Sequence, residues 1–221
     1  MRIKGYIIKH KKKSILVCIL LIFYAFCLPK QLFVKPTSTV ITSAKGDLLG
    51  ALIAEDGQWR FPHNDSVPDK FKTCLIQFED EHFYKHTGFN PVSIFKAIQQ
   101  NISAGRVVRG GSTITQQVIR LSRNDRPRTY LEKCKELILA TRLELRASKE
   151  KILAYWSSNA PFGGNVVGLD AASWRFFNRS SADLSWAEAS TLAVLPNAPK
   201  LIYPGKNQQK LLAKRNRLLK K

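Results

Sequence analysis

Apolar residues are spread along this chain in three different rhythms, and each rhythm predicts a different kind of element. Residues 14–34 form a nearly unbroken apolar run, interrupted by Lys30, which as a helix would span roughly 31 Å at about 1.5 Å per residue, enough for a bilayer core. From Ser38 to Phe61 the text breaks into short β-prone pieces, STVIT, LLGALIA and WRF, separated by the turn-like AKGD and EDGQ, so a small β element is expected there. Beyond Pro68 the spacing becomes helical. Phe71, Leu75, Ile76, Phe78 and Phe83 recur at helical intervals in a segment closing on Gly88, and VSIFKAIQQNI follows an Asn90–Pro91 start and stops at Gly105. VSIFKAIQQNI is apolar enough either to pack in the core or to dip into lipid. Further on, Asp125 and Pro127 open RTYLEKCKELILATRLEL, Ser148 caps KEKILAYW, and Ser185 with Glu188 forms a capping box for WAEASTLAVL, stopped by Pro196. Between the last two, NAPFGGNVVG reads as a tight glycine-rich loop. The expected fold is mainly α, with a small β element and one N-terminal transmembrane helix.

Charge changes this picture at both ends. The 221 residues carry a net charge of +20. Residues 1–35 hold eight Lys/Arg and no acid, and residues 200–221 another eight and no acid, so the middle is nearly balanced. Lys9, Lys11, Lys12 and Lys13 precede the apolar run, and positive charge on that flank keeps it cytoplasmic, which places everything after about residue 35 on the outer face. A cleaved signal peptide is the rival, but no small-x-small site follows the run. Basic ends attract polyanions in general, yet no zinc-finger or RNP-like motif is present, and nucleic acid is not an expected partner. The four cysteines lack C-x-x-C spacing. They read as buried thiols, with a Cys74–Cys134 bridge as the alternative.

Candidate chemistry lies between Phe78 and Gln117. FEDEHFYKHTG places Glu79, Asp80 and Glu81 side by side; three adjacent acids on one helix cannot all turn outward, and an inward carboxyl is desolvated and raised toward neutral pKa, which suits proton transfer. An isolated EDE is more often a solvated helix end. GGSTITQQ follows some thirty residues on. There Thr113 and Gln116 have capping-box spacing for a helix running to about Ser122, and a helix start with glycines and hydroxyls is a natural anion site. Arg106 and Arg109 lead into it. Lys133 and Glu136 share a helix face at i, i+3, a spacing that is ordinarily a surface ion pair. His82 and His86 have a zinc-ligand spacing, but Phe83 stands where a zincin has its glutamate.

Taken together, FEDEHFYKHTG and GGSTITQQ resemble the first two signature motifs of the family 51 glycosyltransferases, the peptidoglycan polymerases found in class A penicillin-binding proteins and in monofunctional glycosyltransferases. The resemblance covers about residue 38 to the end, and APFGG, AASW and VLPNAP resemble the 1C branch of the class A members. It implies a lysozyme-like glycosyltransferase domain over 68–221, after a cytoplasmic tail (1–13), a signal-anchor (14–34) and a β-rich linker (35–67), in the cytoplasmic membrane of a bacterium. By the same resemblance Glu79 is the base that activates the 4-hydroxyl of lipid II, and Glu136 is a second catalytic acid that orients the cations or a divalent ion. Asp80, His86, Ser112, Thr113, Gln116, Gln117, Arg128 and Lys133 bind substrate. Magnesium or manganese is the one cofactor implied, and lipid II, the growing glycan, membrane lipid and other cell-wall synthesis proteins are the implied partners.

Two departures stand out. The third motif's usual Arg before Lys133 is Glu132 here, and the fourth motif's Tyr-Leu-Asn is Trp156-Ser157-Ser158. A lysozyme-like hydrolase and a catalytically weakened membrane scaffold are therefore carried as alternatives. Ser93 with Lys96 and Ser148 with Lys151 match the start of a penicillin-reactive site, but no Lys-Thr-Gly follows. A glycosyltransferase without β-lactam reactivity is expected.

Overall fold

The structure, a computed structural model, describes residues 11–106, 110–123, 126, 129–197 and 207–221. It is mainly helical with two small sheets. Helix α1 (Lys11–Phe26) is followed by strands β1 (Thr39–Thr42), β2 (Leu48–Leu52) and β3 (Trp59–Arg60), then α2 (Asp69–Glu79), a 3-10 turn at Phe83–Lys85, α3 (Pro91–Ser103), α4 (Ile114–Ser122), α5 (Tyr130–Glu144) and α6 (Lys149–Asn159). Strands β4 (Pro161–Gly163) and β5 (Val166–Val167) precede α7 (Leu169–Phe177), α8 (Trp186–Val194) and α9 (Gln208–Leu219).

The local start signals act as their chemistry dictates. Asn90, Thr113, Thr129, Ser148 and Ser185 each accept a hydrogen bond from the backbone N–H three residues on, and Ser185 with Glu188 completes the reciprocal capping box. Helix α5 thus starts at Thr129; Asp125 and Pro127, expected to open it, lie outside the described residues.

Three expectations are corrected. The apolar run does not stay helical over 14–34. Helix α1 ends at Phe26, just ahead of Pro29, because a proline disfavours helix in the residue before it and cannot donate into the ladder. At 16 residues it is about 24 Å long, and no described helix is long and apolar enough to cross a membrane. The last turn of α1 and the chain beyond it instead join the domain: Tyr24 Oη donates to Thr141 Oγ1 (3.0 Å), the Arg142 guanidinium donates to the carbonyl of Ala25 at 3.1 and 2.9 Å, and Leu32 is buried in the core. Second, α2 does not run on to Gly88. It stops at Glu79, and Asp80 leaves the helical backbone (φ −158°, ψ 73°), so the three acids do not share one helix. Third, NAPFGGNVVG is not merely a loop, since β5 pairs antiparallel with β4 and in parallel with β3, Trp59 facing Val166 across the chain. The hairpin of β1 and β2 turns at Gly46, as the AKGD text predicts.

The core lies between α2, α4, α6 and α8. Phe71, Trp156 and Phe162 are fully buried and meet in tilted and edge-on contacts at 6.3–6.4 Å between ring centroids. Each such side chain contributes about 1.5–3 kcal/mol of burial. All four cysteines are free, so the bridge alternative falls, but only Cys74 is buried as expected, its Sγ 3.2 Å from Ser190 Oγ; Cys18, Cys27 and Cys134 are exposed.

Candidate active site

The last residue of α2 and the first turn of α4 meet at the floor of a cleft of about 710 Å³. Glu79 is half-buried there. Its Oε2 accepts a hydrogen bond from Gln117 Nε2 at 2.7 Å, and Gln117 is itself oriented by Trp156 Nε1, which donates to its Oε1 at 3.0 Å. The indole fixes which way the amide points. Burial pushes the Glu79 carboxyl above its ordinary pKa, against the opposing pull of the Gln117 amide, Arg120 and Lys214. A carboxylate held in this way is a better proton acceptor than an exposed one.

Asp80 serves the scaffold. Its Oδ2 accepts from the backbone N–H of Ile114 (3.1 Å), at the positive end of α4, and lies 2.9 Å from His86 Nε2. Because the Gly88 N–H donates to His86 Nδ1 (3.2 Å), a neutral His86 carries its proton on Nε2 and donates it to Asp80. Both ring nitrogens are thus spent inside the protein. Thr113 Oγ1 donates to the Gly88 carbonyl at 2.7 Å, and the turn is closed from below by Lys149, which donates to the His86 carbonyl and to Glu144 Oε1, each at 2.7 Å. Glu144 also accepts from Thr115 Oγ1 at 2.6 Å. Gly88 sits at φ +105°, and a Cβ there would lie 2.7 Å from the Ala140 carbonyl carbon, so this turn packs directly on α5.

A second cleft, of about 390 Å³, adjoins the first: Ser112 and Arg120 line both. Its walls carry Arg120, Arg123, Arg126 and Lys133, with Glu132 and Glu136 among them. Lys133 Nζ donates to Ser112 Oγ and Gln116 Oε1, both at 2.8 Å, and pairs with Glu136 at 3.1 Å. Four cations against two carboxylates leave this lining net positive. Gln116 is fully buried, and its Nε2 finds no partner among the described residues.

The structure therefore brings Glu79, Asp80, Ser112, Thr113, Gln117, Lys133 and Glu136 to two connected clefts. It buries Gln116 beneath them and sets His86 behind them. Arg128 and Arg109 lie outside the described residues. Among the described residues no group of three or more His, Cys, Asp or Glu could hold a metal ion, and Glu132 and Glu136 are each paired with cations. Ser158, in the fourth-motif position, bonds the backbone of Asn64, whose amide reaches Asp170 at 3.0 Å, while the buried Ser157 hydroxyl has no partner among the described residues. Arg120 escaped the sequence reading, although it stands four residues after Gln116 and seven after Thr113, on the same face of α4. Lys149, Glu144 and Lys214 had no local signal, because each acts across the fold.

Against known proteins, the sequence model described as Transglycosylase matches residues 45–221. The chain belongs to the transglycosylase family. Penicillin-binding protein 1C of Escherichia coli K12 is 40% identical over 183 residues, which are 82% of this chain and 24% of that protein. Penicillin-binding protein 1F of Bacillus subtilis 168 is 33% identical over 190 residues, 84% of this chain and 26% of its own. A biosynthetic peptidoglycan transglycosylase of Alcanivorax borkumensis SK2 is 38% identical over 137 residues, 62% of this chain and 56% of its own. This transglycosylase chain thus spans about a quarter of the length of the first two relatives.

Proposed function

We propose that the chain is a peptidoglycan glycosyltransferase that extends glycan strands from lipid II. The observation that carries this is the adjacency of the two clefts: a desolvated carboxylate oriented by Gln117 and Trp156 in one, a four-cation pocket in the other, with Ser112 and Arg120 shared. Glycosyl transfer from a lipid diphosphate needs both. Glu79 takes the proton of the acceptor 4-hydroxyl as its oxygen bonds to the donor's anomeric carbon from the opposite face. The bond from that carbon to the diphosphate breaks, its electron pair leaves on the diphosphate oxygen, and the configuration inverts. Lys133, Arg120 and Arg123 stabilise the departing charge, and Glu136 holds Lys133 in place. Arg128 joins that set by resemblance.

The domain is read as lysozyme-like, with the apolar segment 14–34 as a single-pass anchor and the catalytic clefts on the outer face of the cytoplasmic membrane. Exposed Val92, Phe95, Ile98 and Ile102 form a stripe on α3, and with the exposed apolar side chains of α1 they support a domain seated against lipid. Other cell-wall synthesis proteins are proposed as partners by the resemblance alone.

Incubating the full chain in detergent with fluorescent lipid II and sizing the products tests the reading. Glycan strands longer than the substrate are expected. The half-buried acid equally suits a lysozyme-like hydrolase, and shortening of a preformed glycan without polymer growth would select that alternative; no product in either direction from folded protein would leave a scaffold.

A further inference from the structure

Glu132 is the anomaly of the cationic cleft. It sits in the first turn of α5 with its side chain only 17% exposed, and both of its oxygens are occupied: Oε2 accepts from Arg123 Nη2 at 2.7 Å and Oε1 from Lys135 Nζ at 3.0 Å. Hydrogen bonds from Lys135 and Arg123 hold its carboxyl below the ordinary glutamate range, so it is ionised at neutral pH. Arg123 and Glu132 both line the pocket. An anion that enters must therefore share Arg123 with a carboxylate already bound to it, and must stand beside a fixed negative charge.

We propose that Glu132 is a charge-discriminating residue, which makes this pocket hold a diphosphate diester in preference to the diphosphate monoester left after transfer. The inference rests on reading the pocket as the diphosphate site. When the bond to the anomeric carbon breaks, its electron pair stays on the diphosphate oxygen and the leaving group carries one more negative charge than the donor did. Repulsion by a neighbouring carboxylate grows with that charge, whereas the sugar-bearing diester feels less of it. Glu132 thus weakens the hold on the product more than on the donor and favours release. Replacing it by a neutral isostere turns the ion pair with Arg123 into a weaker neutral-acceptor hydrogen bond and removes the repulsion.

The test is calorimetric titration of the full chain in detergent, wild type and Glu132→Gln, with two probes: inorganic pyrophosphate for the highly charged monoester and a dialkyl diphosphate for the diester. Glutamine keeps the size of the side chain and its ability to accept from Arg123, and matched circular dichroism and melting curves establish that the variant folds. The expected result is pyrophosphate binding roughly tenfold tighter in Glu132→Gln and diester binding tightened by a smaller factor, so that the ratio of the two affinities shifts toward pyrophosphate. Equal affinities in both proteins would overturn the proposal while leaving the pocket a diphosphate site. Weaker binding in Glu132→Gln would also overturn it, by showing that the carboxylate positions Arg123 for the ligand. Failure of both proteins to bind either probe would instead overturn the reading of the pocket, and the proposal with it.

Discussion

At the scale of single residues one carboxyl, that of Glu79, is set apart by its surroundings. Burial raises the Glu79 pKa, so its protonated form is favoured in the folded protein and a base at this position works only above the raised value. Activity should therefore climb with pH along an acid limb whose midpoint lies above about 4.3, the ordinary value for glutamate. The same shift has a sign for stability. A carboxyl whose folded pKa is raised contributes stability that is full below its unfolded pKa and is lost as pH rises through the folded one. Glu79→Gln removes a charge that is costly to bury while still accepting from Gln117, and it should melt a few degrees higher than wild type at pH 7, with the difference vanishing in acid. A lower melting temperature at pH 7 would mean that Glu79 is stabilised where it sits and is no poised base.

Among elements, the turn between α2 and α3 is the joint that holds the site. His86, Asp80, Thr113 and Lys149 converge on it, and Gly88 lies against the backbone of α5. Gly88→Ala must both strain a backbone at φ +105° and push its methyl to 2.7 Å from Ala140; a loss of about 2–4 kcal/mol is expected in urea unfolding. A loss under about 0.5 kcal/mol would contradict that packing. Elements of this kind divide sharply in how far the sequence reveals them. Caps were legible because the signal is local: Asn90, Thr113, Ser148 and Ser185 bond a backbone group three residues away whatever the rest of the chain does. The β1–β2 hairpin was legible for the same reason. Strand β5 was not, because it is two residues long and its partner β3 lies more than a hundred positions upstream. Likewise FEDEHFYKHTG and GGSTITQQ marked the site, but only the fold reveals that Trp156 steers Gln117, or that Glu144 and Lys149 brace the turn.

For the whole molecule, the N-terminal segment is part of the domain and not a loose leash. Leu32 enters the core, and Arg142 and Arg146 donate to the carbonyls of Ala25 and Pro29 where α1 ends. Helix α5 carries Arg142 near its C-terminal end, with Arg146 just past it, and Lys133 with Glu136 nearer its start, so α1 and the cationic cleft meet one element. If the apolar segment 14–34 is a membrane anchor with the lysines that precede it inside, a reporter that works only in the cytoplasm should be silent when fused after Lys221. Activity of that reporter would reverse the orientation.

The most direct measurement is polymerisation of fluorescent lipid II by wild type and Glu79→Gln side by side, with folding checked by melting curves. Elongated glycan from the wild type and a loss of at least about 10²-fold in the variant are predicted, since glutamine keeps the Gln117 contact but cannot take the hydroxyl proton. Polymer made at the wild-type rate by folded Glu79→Gln would contradict the account.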